Sequence, residues 1–247
     1  MDRYDYGGAL EILKNFGYGE SDVAVVVNSC RYAVNFDFKT ARTLLSKISK
    51  KEQDGETVKG ILKNLDKLID GDPDAMFSEL MENIKFQIVN EEYIDFLGRL
   101  YRFKEAIFKY LFVKNHIGKS RFSLIAIHME KREILKQLRK KYRIYNSNLM
   151  YGISTYIHRF AKDDFHLIEV EKILNSERLK GIIELRNDSI VGHGFKGISL
   201  EDIHKYYGNP YHVLDDFSEC LKKLEVNLTR YKYSDINKYI YKLINEL

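Results

Sequence analysis

Arg186, Asn187 and His193 are the residues of this chain whose types and spacing could do chemistry together. Arg186 falls on an apolar stripe of Leu179, Ile182, Ile183 and Ile190, which recur at three- and four-residue steps. A cation on such a stripe is costly unless something answers its charge. His193 follows seven residues later, about two helical turns, so the spacing predicts a guanidinium and an imidazole on one side of a helix. Two readings follow. In one, Arg186 pairs with an inward acid, and His193 is a loop histidine beside a helix end marked by Gly192 and Gly194. In the other, Arg186 holds a phosphate. His193, of a residue type with an ordinary pKa near ~6.5, then moves protons at neutral pH.

The spacing is not unique. Arg121 to His128 and Arg159 to His166 repeat it, so context must choose. His128 shares a stripe with Leu124, Leu135, Leu138 and Tyr142 and reads as a core or half-buried histidine. Asp163-Asp164 looks like a loop and the cap of a new helix, which puts Arg159 and His166 on different elements. Arg186 alone is followed by a polar amide on what reads as a continuous helix.

The elements that would position these residues are all helical. Only two prolines occur in 247 residues, Pro73 and Pro210, and both read as first-turn helix positions. The N-terminal part carries helices at about 4–16, 22–34 and 37–48, a polar loop at Lys50–Gly55, then helices before and after Pro73. Asn90-Glu91-Glu92 marks a junction, and the acids before it read as solvated. A long aromatic-rich helix follows from Tyr93 to about Asn115, with Leu97, Leu100, Tyr101, Phe108, Leu111 and Phe112. The next, about Phe122 to Tyr142, places Arg132, Lys136, Arg139 and Arg143 on one basic stripe, either a solvated face or a track for an RNA backbone. Ser199 with Asp202 resembles a capping box. Ser234 or Asp235 would cap the last helix. Most of the eighteen tyrosines sit at helix-core spacing; Tyr206, Tyr207, Tyr231 and Tyr233 are the candidates for stacking on bases.

Composition sets the class. The chain is 45% hydrophobic and 31% charged, with a net charge of +4 and a pI near 8.7. That is an ordinary globular balance, compatible with RNA without demanding it. Cys30 and Cys220 lie far apart without metal spacing and fit a reducing cytoplasm. Met1-Asp2-Arg3 does not read as a signal peptide, and no run approaches ~18 apolar residues, so neither export nor a membrane is expected. No metal cluster, phosphate-binding glycine loop or dinucleotide fingerprint is present.

Arg186-Asn187-x5-His193, near a helix end in a basic all-α chain, resembles the HEPN ribonuclease signature. Asp5-Tyr6-Gly7-Gly8-Ala9-Leu10, Arg31-Tyr32-Ala33-Val34-Asn35-Phe36-Asp37 and the stretch from Tyr93 to Ala106 resemble the C-terminal half of the CARF–HEPN ancillary ribonucleases of type III-A CRISPR systems. The likeness runs over essentially the full chain. It implies a six-helix-type linker module at 1–90 and a HEPN helical bundle at 91–247. It also implies metal-independent cleavage of single-stranded RNA in antiviral defence, with no cofactor. The ribose 2′-OH would attack the adjacent phosphate to leave a 2′,3′-cyclic phosphate. His193 would act as general acid or base, Arg186 would stabilise phosphate charge, and Asn187 would orient the phosphate or His193. The implied assembly is a homodimer through the HEPN half, because a two-fold contact brings the same patch from both chains together. No strand–helix alternation of a CARF sensor is visible, so the expectation is a truncated or sensorless effector. A cyclic oligoadenylate, itself single-stranded RNA, would then be at most a substrate and not an activator. The competing class is a non-catalytic HEPN-type helical module, acting as a toxin–antitoxin or assembly partner.

Overall fold

The structure, a computed structural model, describes residues 3–118 and 121–247. Met1 and Asp2, on which the leader-free reading of the N-terminus rests, lie outside the described residues. The fold is all-α, with fourteen α-helices, one short 3-10 turn and no strand among the described residues. It divides into two compact units, residues 3–82 with 229–247, and residues 83–228.

The first unit opens with α1 (Tyr6–Asn15), α2 (Asp22–Ala33) and α3 (Phe38–Leu45). Side chains that also sit well outside a helix start each of them. Asp5 accepts from the Gly8 amide, Ser21 from Ala24 and Asp37 from Thr40, each satisfying a backbone donor that the first turn leaves over. The expected loop at Lys50–Gly55 contains a single helical turn, α4 (Lys50–Gln53). α5 (Glu56–Ile69) and α6 (Pro73–Val89) follow, with the unit boundary inside α6 at Glu82 and Asn83. α2 is apolar on most of its surface, and α1 and α3 pack on it.

The second unit is built on α7 (Tyr93–Ile117), which at 25 residues is about 37 Å long. Twelve of those residues are buried, among them Phe96, Phe103, Phe108 and Phe112. The expected single helix from Phe122 to Tyr142 splits into the 3-10 turn at Ile127–Met129 and α8 (Lys131–Tyr142). α9 (Leu149–Phe160) and α10 (Phe165–Leu174) come next, α10 capped by the Asp164 carboxylate on the Leu167 amide. α11 (Glu177–Asp188), α12 (Leu200–Tyr207) and α13 (His212–Lys223) complete the unit. Ser199 and Asp202 form the reciprocal capping box at the start of α12.

α14 (Lys232–Ile244) then returns to the first unit, where it packs on α2. The sequence expectation ended one domain at residue 90 and gave all of 91–247 to a second; the contacts instead place residues 229–247 with the N-terminal helices. α14 buries Ile236, Ile240 and Leu243 there, and a buried polar cluster, where the sequence leads one to expect solvated acids, joins it to α6. Glu79 is 1% exposed; its Oε2 takes the Lys232 ammonium at 2.5 Å and its Oε1 the Tyr233 hydroxyl at 2.5 Å. Ser78 Oγ accepts the Thr229 amide at 2.8 Å, and Glu82 accepts the Tyr231 amide at 3.2 Å. α14 begins after Tyr231, in the left-handed conformation at φ 63, rather than at a Ser234 or Asp235 cap.

Breaking this pair leaves a buried ammonium without an answering charge. Glu79→Ala should therefore cost about 3–5 kcal/mol in urea unfolding, and the double change Glu79→Leu with Lys232→Met should recover most of it. Equal loss in the single and double variants would show that the ion pair is not what holds α14.

Candidate functional site

Arg186 and Asn187 lie in the last turn of α11, and His193 lies beyond its end. The helix stops at Asp188, so helical spacing does not align Arg186 with His193 as expected. Ile190 is not on the buried stripe either; it is 67% exposed, and the buried positions are Leu179, Ile182 and Leu185. The two residues are brought to one place by backbone instead. The Ser189 hydroxyl, fully buried, donates to the Arg186 carbonyl at 2.8 Å. The chain then folds back, and the amides of His193 and Gly194 donate to the Asn187 carbonyl at 2.9 and 3.2 Å, and that of Lys196 to Asp188 at 3.0 Å. Three carbonyls that the helix end leaves over are thus satisfied by its own returning loop.

Glycine permits this return. A Cβ on Gly192 would overlap the Arg186 and Asn187 carbonyls, and one on Gly194 would overlap the Asp188 carbonyl. Val191 lies over Gly98 of α7, where an added Cβ would meet it at ordinary van der Waals distance.

Arg186 is half-buried, with its guanidinium 4.6 Å from the centre of the Tyr101 ring of α7. This is a cation–π seat. Its Nη1 donates to Asn187 Oδ1 at 3.2 Å. Its Nε is buried and has no hydrogen-bond partner, and no carboxylate lies within ion-pair distance among the described residues. The expected inward acid is therefore missing. His193 is exposed at the rim, with its backbone pinned and its imidazole open to solvent. The arrangement offers a fixed positive charge and, on the same helix end, a ring able to give or take a proton.

The other sequence candidates lie elsewhere. His128 Nε2 is buried without a partner, and its ring meets Phe122 edge-on at 5.2 Å. His166 is exposed and lines a separate cavity with Asp164 and Lys223. Arg159 ends α9 and His166 begins α10, on different elements as read. Arg132, Lys136 and Arg139 are exposed on α8, but Lys136 pairs with Glu133 at 3.0 Å, and Arg143 leaves the helix at φ 55. α8 packs on α9 and α7, whereas α11 packs on α7 and α12. Two of the four stacking candidates are unsuited to bases: Tyr207 and Tyr233 are buried, with their hydroxyls on Asp216 and Glu79. Tyr206 lies against Gly181, and Tyr231 is exposed.

Neither cysteine is a nucleophile candidate. Both are buried and free, and burial pushes the Cys30 thiol up to about 12. No group of three or more His, Cys, Asp or Glu among the described residues could hold a metal ion, and no helix among them is long and apolar enough to cross a membrane. Sequence reasoning missed Tyr101 as the seat of Arg186. The signal was available only as an aromatic in the apolar pattern of α7, which does not say what it faces. No family model, curated protein or solved structure matches the chain.

Gly194→Ala should push the loop off the helix end. Hydrogen exchange at the His193 and Lys196 amides should speed up about tenfold, the loss of one or two backbone hydrogen bonds. Gly197→Ala, where nothing lies within 4 Å, should leave it unchanged. Equal protection in both variants would mean that the close approach does not hold the loop.

Proposed function

We propose that the chain is a metal-independent endoribonuclease of the HEPN type, acting on single-stranded RNA. One observation carries this reading: a half-buried arginine without an acidic partner shares a helix end with an exposed histidine. A buried donor such as Arg186 Nε is costly to leave unsatisfied, and an anion brought to it would answer both the hydrogen bond and the charge. A phosphodiester is such an anion, and the planar guanidinium fits its oxygens.

In this reading the ribose 2′-OH attacks the neighbouring phosphorus and gives its proton to a base. The 5′-oxygen leaves and takes a proton from an acid. The products are a 2′,3′-cyclic phosphate and a free 5′-OH. His193 supplies one of the two proton transfers, and Arg186 stabilises the charge that grows on the phosphate oxygens. Asn187 holds the site twice, through Oδ1 on Arg186 and through its carbonyl on the His193 backbone. The nucleophile belongs to the substrate, so the step needs no metal-bound water. A second histidine would come from a second copy of the chain, joined so that two such helix ends face one another. Residues Arg132, Lys136, Arg139 and Arg143 would add non-specific attraction for the strand.

A non-catalytic module is the second reading. It is favoured by the His193 imidazole, which has no side-chain partner to orient it among the described residues. Two measurements separate the two. His193→Ala and Arg186→Ala should each lower RNA cleavage by about a hundredfold or more, the usual worth of a general acid–base or charge-stabilising group. His128→Ala and His166→Ala should leave it within a few-fold, and wild-type cleavage should persist in excess EDTA with cyclic-phosphate ends. Equal loss in all four variants, or no cleavage by the wild type, would leave the binding module. Light scattering should find a dimer at tens of micromolar; a monomer with full activity would overturn the paired site.

A further inference from the structure

Lys104 is a buried cation of the second unit that takes no part in the site at Arg186. It sits on α7 between Leu97, Leu100, Phe108 and Leu111, on the stripe that faces inward. It is 5% exposed, and no hydrogen bond or ion pair reaches its ammonium among the described residues. Desolvation pushes its pKa down to about 8, helped by Lys180 and opposed by Glu171.

The lysine does not face a closed core. It lines a cleft of about 610 Å³ between α7, α9, α10 and α11, within the size range of small-molecule sites. Arg159 and His158 of α9, Glu171 of α10 and Lys180 of α11 also line it. Two lysines and an arginine thus meet one carboxylate. Glu171 is already engaged: its Oε1 accepts from Asn175 Nδ2 at 2.6 Å and lies 3.5 Å from His158 Nε2. Lys180 reaches only Glu177 at 2.8 Å, an exposed pair of little worth. Tyr151, 64% exposed, presents an aromatic ring at the same cleft.

We propose that this cleft binds a nucleoside monophosphate, with the phosphate against the Lys104 ammonium and the base over the Tyr151 ring. The anion answers a charge that the fold has desolvated and left alone, which no surface lysine requires. The ring accounts for a nucleoside rather than a bare phosphate, since a base has a face to stack. The site is separate from Arg186 and His193 and stands whether or not the chain cleaves RNA.

The test uses the full chain with AMP, adenosine and inorganic phosphate, followed by calorimetry. AMP should bind saturably, with adenosine and phosphate each about tenfold weaker or more, a single charge-assisted or stacking contribution. Lys104→Met should weaken AMP by at least about tenfold and Tyr151→Ala by several-fold, while His193→Ala should bind as the wild type does. In protein carrying ¹³C-labelled lysine, the Lys104 titration should move upward when AMP is added, because a bound anion favours the ammonium. This readout holds even if Lys104→Met does not fold. Absence of saturable AMP binding, AMP binding unaffected by Lys104→Met, or a Lys104 titration that AMP does not move would overturn the proposal. Lys104-dependent binding of a short single-stranded RNA without binding of AMP would also overturn it, in favour of a strand track.

Discussion

The burial of α7 is the constraint on which the second unit depends. A helix with apolar side chains on most of its circumference must be surrounded, and α9, α11 and α13 do so. Each large side chain removed from water there contributes about 1.5–3 kcal/mol. The same burial forces every polar group on α7 to be answered locally. Glu105 shows the rule obeyed: burial alone would raise its pKa, but the Lys109 ammonium at 2.9 Å and the Arg102 guanidinium at 3.0 Å hold its carboxyl below the usual range. Tyr101 turns its ring to Arg186. Arg99 and Lys104 depart from it: burial lowers the pKa of both, and neither has a hydrogen bond or ion pair among the described residues.

The candidate site follows from a second, local constraint. A helix end leaves carbonyls without partners, and most proteins satisfy them with a left-handed glycine or with water. Here the end of α11 is closed by the chain's own return, and closure delivers His193 to Asn187. The residues that close the helix end are also those of the candidate site. That coupling explains why the glycines flank the histidine: they are the positions where the two backbones approach too closely for any side chain. Arg186, seated on an aromatic face and short of a partner at Nε, is positioned without being neutralised. That is the state a group needs if it is to meet an anion without first giving up another one.

The first unit uses buried charge for a different end. Glu79, Lys232 and Tyr233 join α6 to α14 in a cluster whose members satisfy one another, and Tyr6 donates to Asn237 at 2.9 Å beside it. Breaking a buried pair leaves an uncompensated charge, so Glu79 and Lys232 disfavour arrangements in which these two segments are apart. The cluster ties the C-terminal helix to the N-terminal half across about 150 residues of sequence. In this cluster charge is answered inside the chain, whereas in the second unit Arg186 and Lys104 have no ion-pair partner among the described residues.

The sequence by itself determined the all-α class and nearly every helix, because caps and apolar periodicity are local. Asp5, Ser21, Asp37, Asp164 and the Ser199–Asp202 box each act within three or four residues of where they stand. It also singled out Arg186, because a cation at a core position is visible as a break in a pattern. Lys104 breaks the α7 stripe in the same way. What the tertiary structure decided is everything that rests on partners far away in sequence or on the path of the backbone. Helical arithmetic does not place His193, since the helix ends five residues earlier and a folded-back loop sets its backbone on the Asn187 carbonyl. The allegiance of α14, the burial of Glu79 and the seat on Tyr101 all depend on long-range packing. No periodicity encodes which faces meet, because a stripe states only that a side chain must be buried and not against what.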